Sequence, residues 1–136
     1  MSKLVLTNPK ITVNSVDLTG YIAQVSLEMS FAEVDTTDFG SGGVMERIAG
    51  LGDHSFTASF HQSFAANLVE QTIYPLLGTT TNITVKPVNA TTTTTNPEYQ
   101  FTVLVNGWSP VSGAVGDLLT ADVTWPVSGA VVKATN

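Results

Sequence analysis

The chain has 136 residues, 43% of them hydrophobic and 12% charged, with eleven acids against five bases for a net charge of -6, and no cysteine. That length fits a single domain, residues 1–136, around one core. Disulfides are excluded, as is a membrane-spanning helix, since no run approaches about 18 apolar residues. A nucleic-acid-binding surface, which needs cations to meet phosphates, is excluded as well. Charged residues usually make up about 25% of a soluble domain. Their scarcity here implies that much of the surface is covered in the working state.

The opening Met1-Ser2-Lys3-Leu4-Val5-Leu6 has no sustained apolar run and does not read as a signal peptide, so cytoplasmic synthesis is expected. Residues 10–16 alternate loosely through Ile11 and Val13, and Asp17-Leu18-Thr19-Gly20 predicts a turn. A cleaner strand follows, with Val25, Leu27, Met29 and Phe31 on one face and Gln24, Ser26, Glu28 and Ser30 on the other.

Residues 32–50 then read as a loop of about 19 residues, against roughly 2–5 for an ordinary hairpin. It carries Phe39, Val44, Met45 and Ile48, with Leu51 just beyond. A free loop does not normally show such groups to water, so this one is expected to dock, either on another copy of the chain or over its own core. It is expected to be mobile in a free subunit and ordered in an assembly.

A second strand places Phe56, Ala58 and Phe60 opposite Ser55, Thr57, Ser59 and His61. Helical spacing of Ala65, Leu68, Val69, Thr72, Ile73 and Leu76, with Ser63 as cap and Pro75 and Gly78 as stops, predicts one helix over about 64–75. Further strands are expected around Ile83 and Val85, around Tyr99, Phe101, Val103 and Val105, and around Leu119, Ala121, Val123 and Trp125. The threonine run Thr91 to Thr95 marks an exposed loop or hairpin tip. Pro-Val-Ser-Gly-Ala-Val occurs at 110–115 and again at 126–131, each copy shortly after a tryptophan. Two copies are too few for a solenoid and read as two similar strand ends.

Catalytic chemistry has little to stand on. His54 and His61 are an odd number of residues apart on one strand and point to opposite faces. No G-x-S-x-G nucleophile context occurs, and Gly40-Ser41-Gly42-Gly43 lacks the Lys and Ser/Thr of a phosphate loop. The acids Glu33, Asp35 and Asp38 lack EF-hand spacing. The expectation is no enzyme, no cofactor and no metal.

Several segments taken together resemble a known family: residues 16–22 (Val-Asp-Leu-Thr-Gly-Tyr-Ile), the acidic loop ending in Phe39-Gly40, and Arg47-Ile48-Ala49-Gly50-Leu51. With them go Ile73-Tyr74-Pro75-Leu76-Leu77-Gly78, Ser109-Pro110-Val111-Ser112-Gly113 and Trp125-Pro126-Val127-Ser128-Gly129. In pattern and order they are similar to the tail tube (major tail) proteins of long-tailed, siphovirus-type bacteriophages.

The resemblance implies a mainly β, two-sheet sandwich or barrel-like tail-tube fold with one flanking α-helix and a long early loop. It implies hexameric rings of this chain stacked into the tail tube of a virion. Tail terminator, tape measure and baseplate or tail-tip proteins would be partners, with no membrane involved. DNA would pass through an acidic-walled bore without specific binding. On this reading Phe39, Val44, Met45, Arg47, Ile48 and Leu51 contact neighbouring subunits, and Gln24, Ser26, Glu28, Ser30, Thr120, Asp122 and Thr124 are candidates to face the bore. Another ring or decoration component of a virion, or a monomeric immunoglobulin-like binding module, are the alternatives.

Overall fold

The computed structural model describes residues 3–136, in which the alternating segments form two antiparallel sheets packed face to face. One sheet has the order β2-β1-β5-β6-β8, from β1 (Lys10–Val13), β2 (Val16–Asp17), β5 (Thr80–Lys86), β6 (Glu98–Leu104) and β8 (Val132–Ala134). The other has the order β3-β4-β7, from β3 (Ile22–Asp35), β4 (Arg47–His61) and β7 (Thr120–Pro126). The protein is thus a mainly β sandwich with a single short helix, the expected fold class.

Period-two patterning fills the space between the sheets. Phe56, Ala58 and Phe60 of β4 and Ala121, Val123 and Trp125 of β7 meet Val13, Ile83, Phe101 and Val103 from the opposite sheet, all buried. The Phe56 ring lies 5.5 Å from Phe101 and 6.3 Å from Trp125, centroid to centroid. The buried Trp125 indole donates from Nε1 to the Gly107 carbonyl at 2.9 Å, so its one polar atom is satisfied. His54 is buried on the inner side of β4 and His61 lies on the outer side, as their spacing predicts.

Local chemistry explains where the chain departs from the expected elements. β1 and β2 are joined by Asn14 and Ser15, both at positive φ (51° and 67°), the two-residue hairpin turn that matches strand twist. The helix expected over 64–75 is shorter: α1 runs Val69–Ile73 and continues only as the 3₁₀ turn Tyr74–Leu76. Asn67 takes φ 61° and Leu68 is extended, which breaks the helical path after Ser63. Ser63 still helps hold the segment, its carbonyl accepting from the Glu70 N–H at 3.0 Å. Val69 and Ile73, one turn apart, are buried.

The loop expected over 32–50 is shorter, because its two ends, 32–35 and 47–50, are strand. Glu33 pairs with Ala49, Val34 with Ile48 and Asp35 with Arg47, leaving only residues 36–46 as connection. A register shift between Phe31 and Glu33 puts an extra residue on β4 and hides the alternation from a reading of the sequence.

The threonine-rich loop is closed by Asn96, which is buried. Its side-chain amide donates to the carbonyls of Val88 (3.0 Å), Ala90 (3.3 Å) and Thr91 (3.3 Å). The two hexapeptide copies are not equivalent. Residues 126–131 leave β7 with Gly129 at φ 96°, whereas residues 110–115 lie in an exposed connection with no strand.

Trp125→Ala is expected to lower the unfolding free energy by about 3–5 kcal/mol through the cavity it opens. Urea denaturation of the unassembled chain measures this, and a loss under about 1 kcal/mol would mean the inter-sheet packing is wrongly described.

Candidate assembly surfaces

β7 pairs with β4 only between Ser55 and His61. Beyond the Met29–His54 pair, where the His54 carbonyl still accepts from the Val127 N–H at 2.9 Å, β4 pairs among the described residues with β3 alone, so the two strands form a two-stranded arm. At its root the Phe31 ring meets the His54 imidazole edge to face, with centroids 5.4 Å apart.

Glycine makes that close packing possible. A Cβ on Gly52 would stand 2.9 Å from the Phe31 ring and 3.2 Å from His54 Nε2. One on Gly50 would stand 2.8 Å from a Val34 methyl. Farther out, Val34 and Ile48 share one face of the arm. On the other face the Arg47 Nε sits 2.6 Å from Glu33 Oε1.

The arm's tip is organised by its own polar groups. The Asp38 carboxylate accepts from the Gly40 N–H at 2.9 Å, the Asp38 N–H donates to Ser41 Oγ at 3.0 Å, and the Ser41 hydroxyl also bonds the Glu46 carboxylate. This capping box starts the 3₁₀ turn Phe39–Ser41, and Gly42 and Gly43 then reverse the chain at positive φ. The Thr37 hydroxyl accepts from the Glu46 N–H at 2.8 Å, and Thr36 N–H donates to the Glu46 carbonyl at 2.9 Å.

The Thr37 N–H donates to Asp35 Oδ1 at 2.8 Å. This backbone hydrogen bond, with the Thr37 hydroxyl second, holds the Asp35 carboxyl below its ordinary pKa.

Of the residues expected to meet neighbours, Phe39, Val44, Met45, Ile48 and Leu51 are exposed along this arm, Leu51 by 86%, and Arg47 lies among them. The arm also exposes Met29, Phe31 and Val34. Met29 and Phe31 were legible in the alternation of β3, on a face that reads as core, whereas Val34 falls within the expected loop.

The outer face of the three-stranded sheet is its counterpart. Cross-strand rows run Gln24–Ser59–Asp122 and Ser26–Thr57–Thr124, then Glu28 beside Ser55, Ser30 beside Asp53, and His61 beside Thr120. All seven residues proposed to face a bore therefore share one surface. The central strand's Ser55, Thr57 and Ser59 complete it, and their alternation with Phe56, Ala58 and Phe60 was the signal for them.

The Ser59 hydroxyl donates to Asp122 Oδ1 at 2.7 Å, and that of Ser30 to the Asp53 carbonyl at 2.9 Å. The face has carboxylates at Glu28, Asp53 and Asp122 and no lysine or arginine. Both outer edges of this sheet, along β3 and β7, pair with no other strand among the described residues. No group of three or more His, Asp or Glu side chains among them could hold a metal ion.

No family model matches the sequence, and no curated protein matches it significantly. Solved structures do share the fold. A chain from the tail of an empty GTA particle, determined with helical refinement in C6 symmetry, superposes with a TM-score of 0.65 at 15% identity over 92% of both chains. A chain from the six-fold symmetrised baseplate of the anti-feeding prophage gives a TM-score of 0.57 at 9% identity, covering 98% of this chain and 97% of that one.

Because Asp35 is easier to ionise in the folded arm than in the unfolded chain, its contribution is complete above the ordinary value of about 3.9 and fades as pH falls through the lower folded value. An NMR titration of the Asp35 carboxyl is expected to give a midpoint below about 3.9, and Thr37→Val to raise it partway. An ordinary midpoint in the parent chain would show that the tip network does not form in solution.

Proposed function

We propose that this protein is a structural subunit of a virion, a tail tube protein of the siphovirus type that assembles as stacked six-membered rings around a DNA-conducting bore. The observation that carries the reading is the combination on one sheet of a projecting apolar arm and a cation-free polar face. The fold shared with chains of a six-fold tail and a six-fold baseplate supports it.

The sheet's two free edges suit lateral joining, in which β7 of one copy lies beside β3 of the next. Repeated by a rotation, such a head-to-tail contact closes into a ring. The arm then reaches out of its own subunit, where its apolar groups lose their contact with water.

With the polar face turned inward, each copy offers Glu28, Asp53 and Asp122 to the bore. Their charge repels phosphates, while the hydroxyls of Ser26, Thr57 and Thr124 keep the wall wet. The duplex would pass over hydration water and counterions without settling on fixed contacts. Partners at the tube ends would be terminator and tip proteins, with a tape-measure protein within. A ring that stops at one layer is the second reading, favoured by the nearly full-length match to a baseplate chain.

Negative-stain electron microscopy across a concentration series, with mass by light scattering, tests the proposal. Hollow rings or tubes with six-fold end views are expected. A monodisperse monomer at every concentration would count against it. In tubes built from a Glu28→Lys, Asp122→Lys double variant, the wall is expected to retain DNA in a salt-dependent way where the parent retains none. Equal, negligible retention by both would place the polar face away from the bore.

A further inference from the structure

The two sheets do not close over one another along the β3 edge. Val25, Leu27 and Met29 of β3 face Val85 and Tyr99 of the other sheet across an apolar groove of about 310 Å³, with Lys86 at its rim. Met29 is 50% exposed there. Nothing in the described chain fills the groove.

Resting on the self-assembly proposed above, we infer that this groove is the seat for the arm tip of a second copy of the chain, with Phe39 as the inserted group and Lys86 facing the tip's carboxylates. Three observations select that occupant. First, Phe39 is fully exposed and held outward by the capping box of Asp38 and Ser41, so it is a pre-formed apolar peg.

Second, an arm cannot reach its own groove. Met29 both lines the groove and begins the arm, and the tip lies six or more residues farther along an extended strand, about 20 Å away. The peg and the seat therefore meet only between copies, in a head-to-tail contact that propagates.

Third, the charges match. The tip carries Asp38 and Glu46. Arg47, the nearest cation, is already paired with Glu33. Lys86 stands directly across from Lys10 in the β1–β5 ladder, a like-charge pair that a nearby anion would relieve. Asp17 lies near Lys10, whereas the Lys86 ammonium has the neutral Ala90 carbonyl at 3.0 Å.

The absence of cysteine makes the test direct. Phe39→Cys and Leu27→Cys chains are mixed, assembled and oxidised, and a disulfide-linked dimer of one of each is expected. Phe39→Cys mixed with Ser26→Cys, whose side chain lies on the opposite face of β3, is expected to give none. Tyr99→Cys on the far wall serves as a second acceptor if the Leu27 variant folds poorly.

In parallel, Lys86→Glu is expected to raise the concentration needed for assembly about tenfold or more, and Glu46→Lys in the same chain, which leaves the Asp38 cap in place, to restore it. Tubes that form normally with no link from position 39 to 27 or 99 would overturn the inference and leave the proposed assembly standing. A chain that never assembles would overturn both.

Discussion

β4 is 15 residues long, and only the stretch from Ser55 to Phe60 has a strand on each side. The rest of the molecule answers to that mismatch. Where the sheet is three strands wide, one face closes the sandwich through Phe56, Phe60 and Trp125. Beyond it, the same strand pair continues with apolar side chains that nothing among the described residues buries. A two-stranded ribbon is marginal alone. This one is held by the aromatic contact at His54, two glycines that allow close packing, the Arg47–Glu33 pair and the tip's hydrogen bonds. Those devices order the arm without hiding Phe39, Ile48 or Leu51. An ordered structure that keeps its apolar groups in water is what the proposed contact between copies requires.

The three-stranded sheet divides its labour by face. Its inner side is a conventional core. Its outer side is short, hydroxylated and acidic, and a position for lysine on any of its strands has been left to serine, threonine, glutamine or a carboxylate. An exposed sheet normally carries lysine to discourage edge pairing. Omitting it on the face and along both edges favours association with like strands, and it also leaves a surface that offers phosphate no counter-charge. In the proposed assembly, edge joining and indifference to DNA would both follow from the same choice of residues.

Much of the fold was legible because burial imposes a period of two. The faces of β3, β4, β6 and β7 follow from alternation alone, and so does the grouping of Gln24, Ser26, Glu28 and Ser30 with Thr120, Asp122 and Thr124 on polar faces. What was hidden has physical reasons. A bulge near Gly50 and Gly52 interrupts alternation, so the outer half of the arm looked like a loop, although the exposure of its apolar groups was foreseeable. Asn67 and Leu68 break a helix whose apolar spacing extends past them. The hexapeptide repeat misled because identical residues sit at a strand end in one place and in an exposed connection in the other. The groove beneath Met29 could not be foreseen, since it depends on how far one sheet overlaps the other.

The most direct measurement is hydrogen exchange of residues 22–61, compared between dilute subunit and assembled material. The account predicts that amides along the free edge of β3 and the outward edges of the arm exchange readily in the dilute chain, the cross-strand amides of the arm faster than the core, and that all become strongly protected on assembly. The Phe56–Phe60 core segment should be protected in both. Equal protection of the arm and the β3 edge in the two states would contradict the claim that this hairpin exists to join one copy to the next.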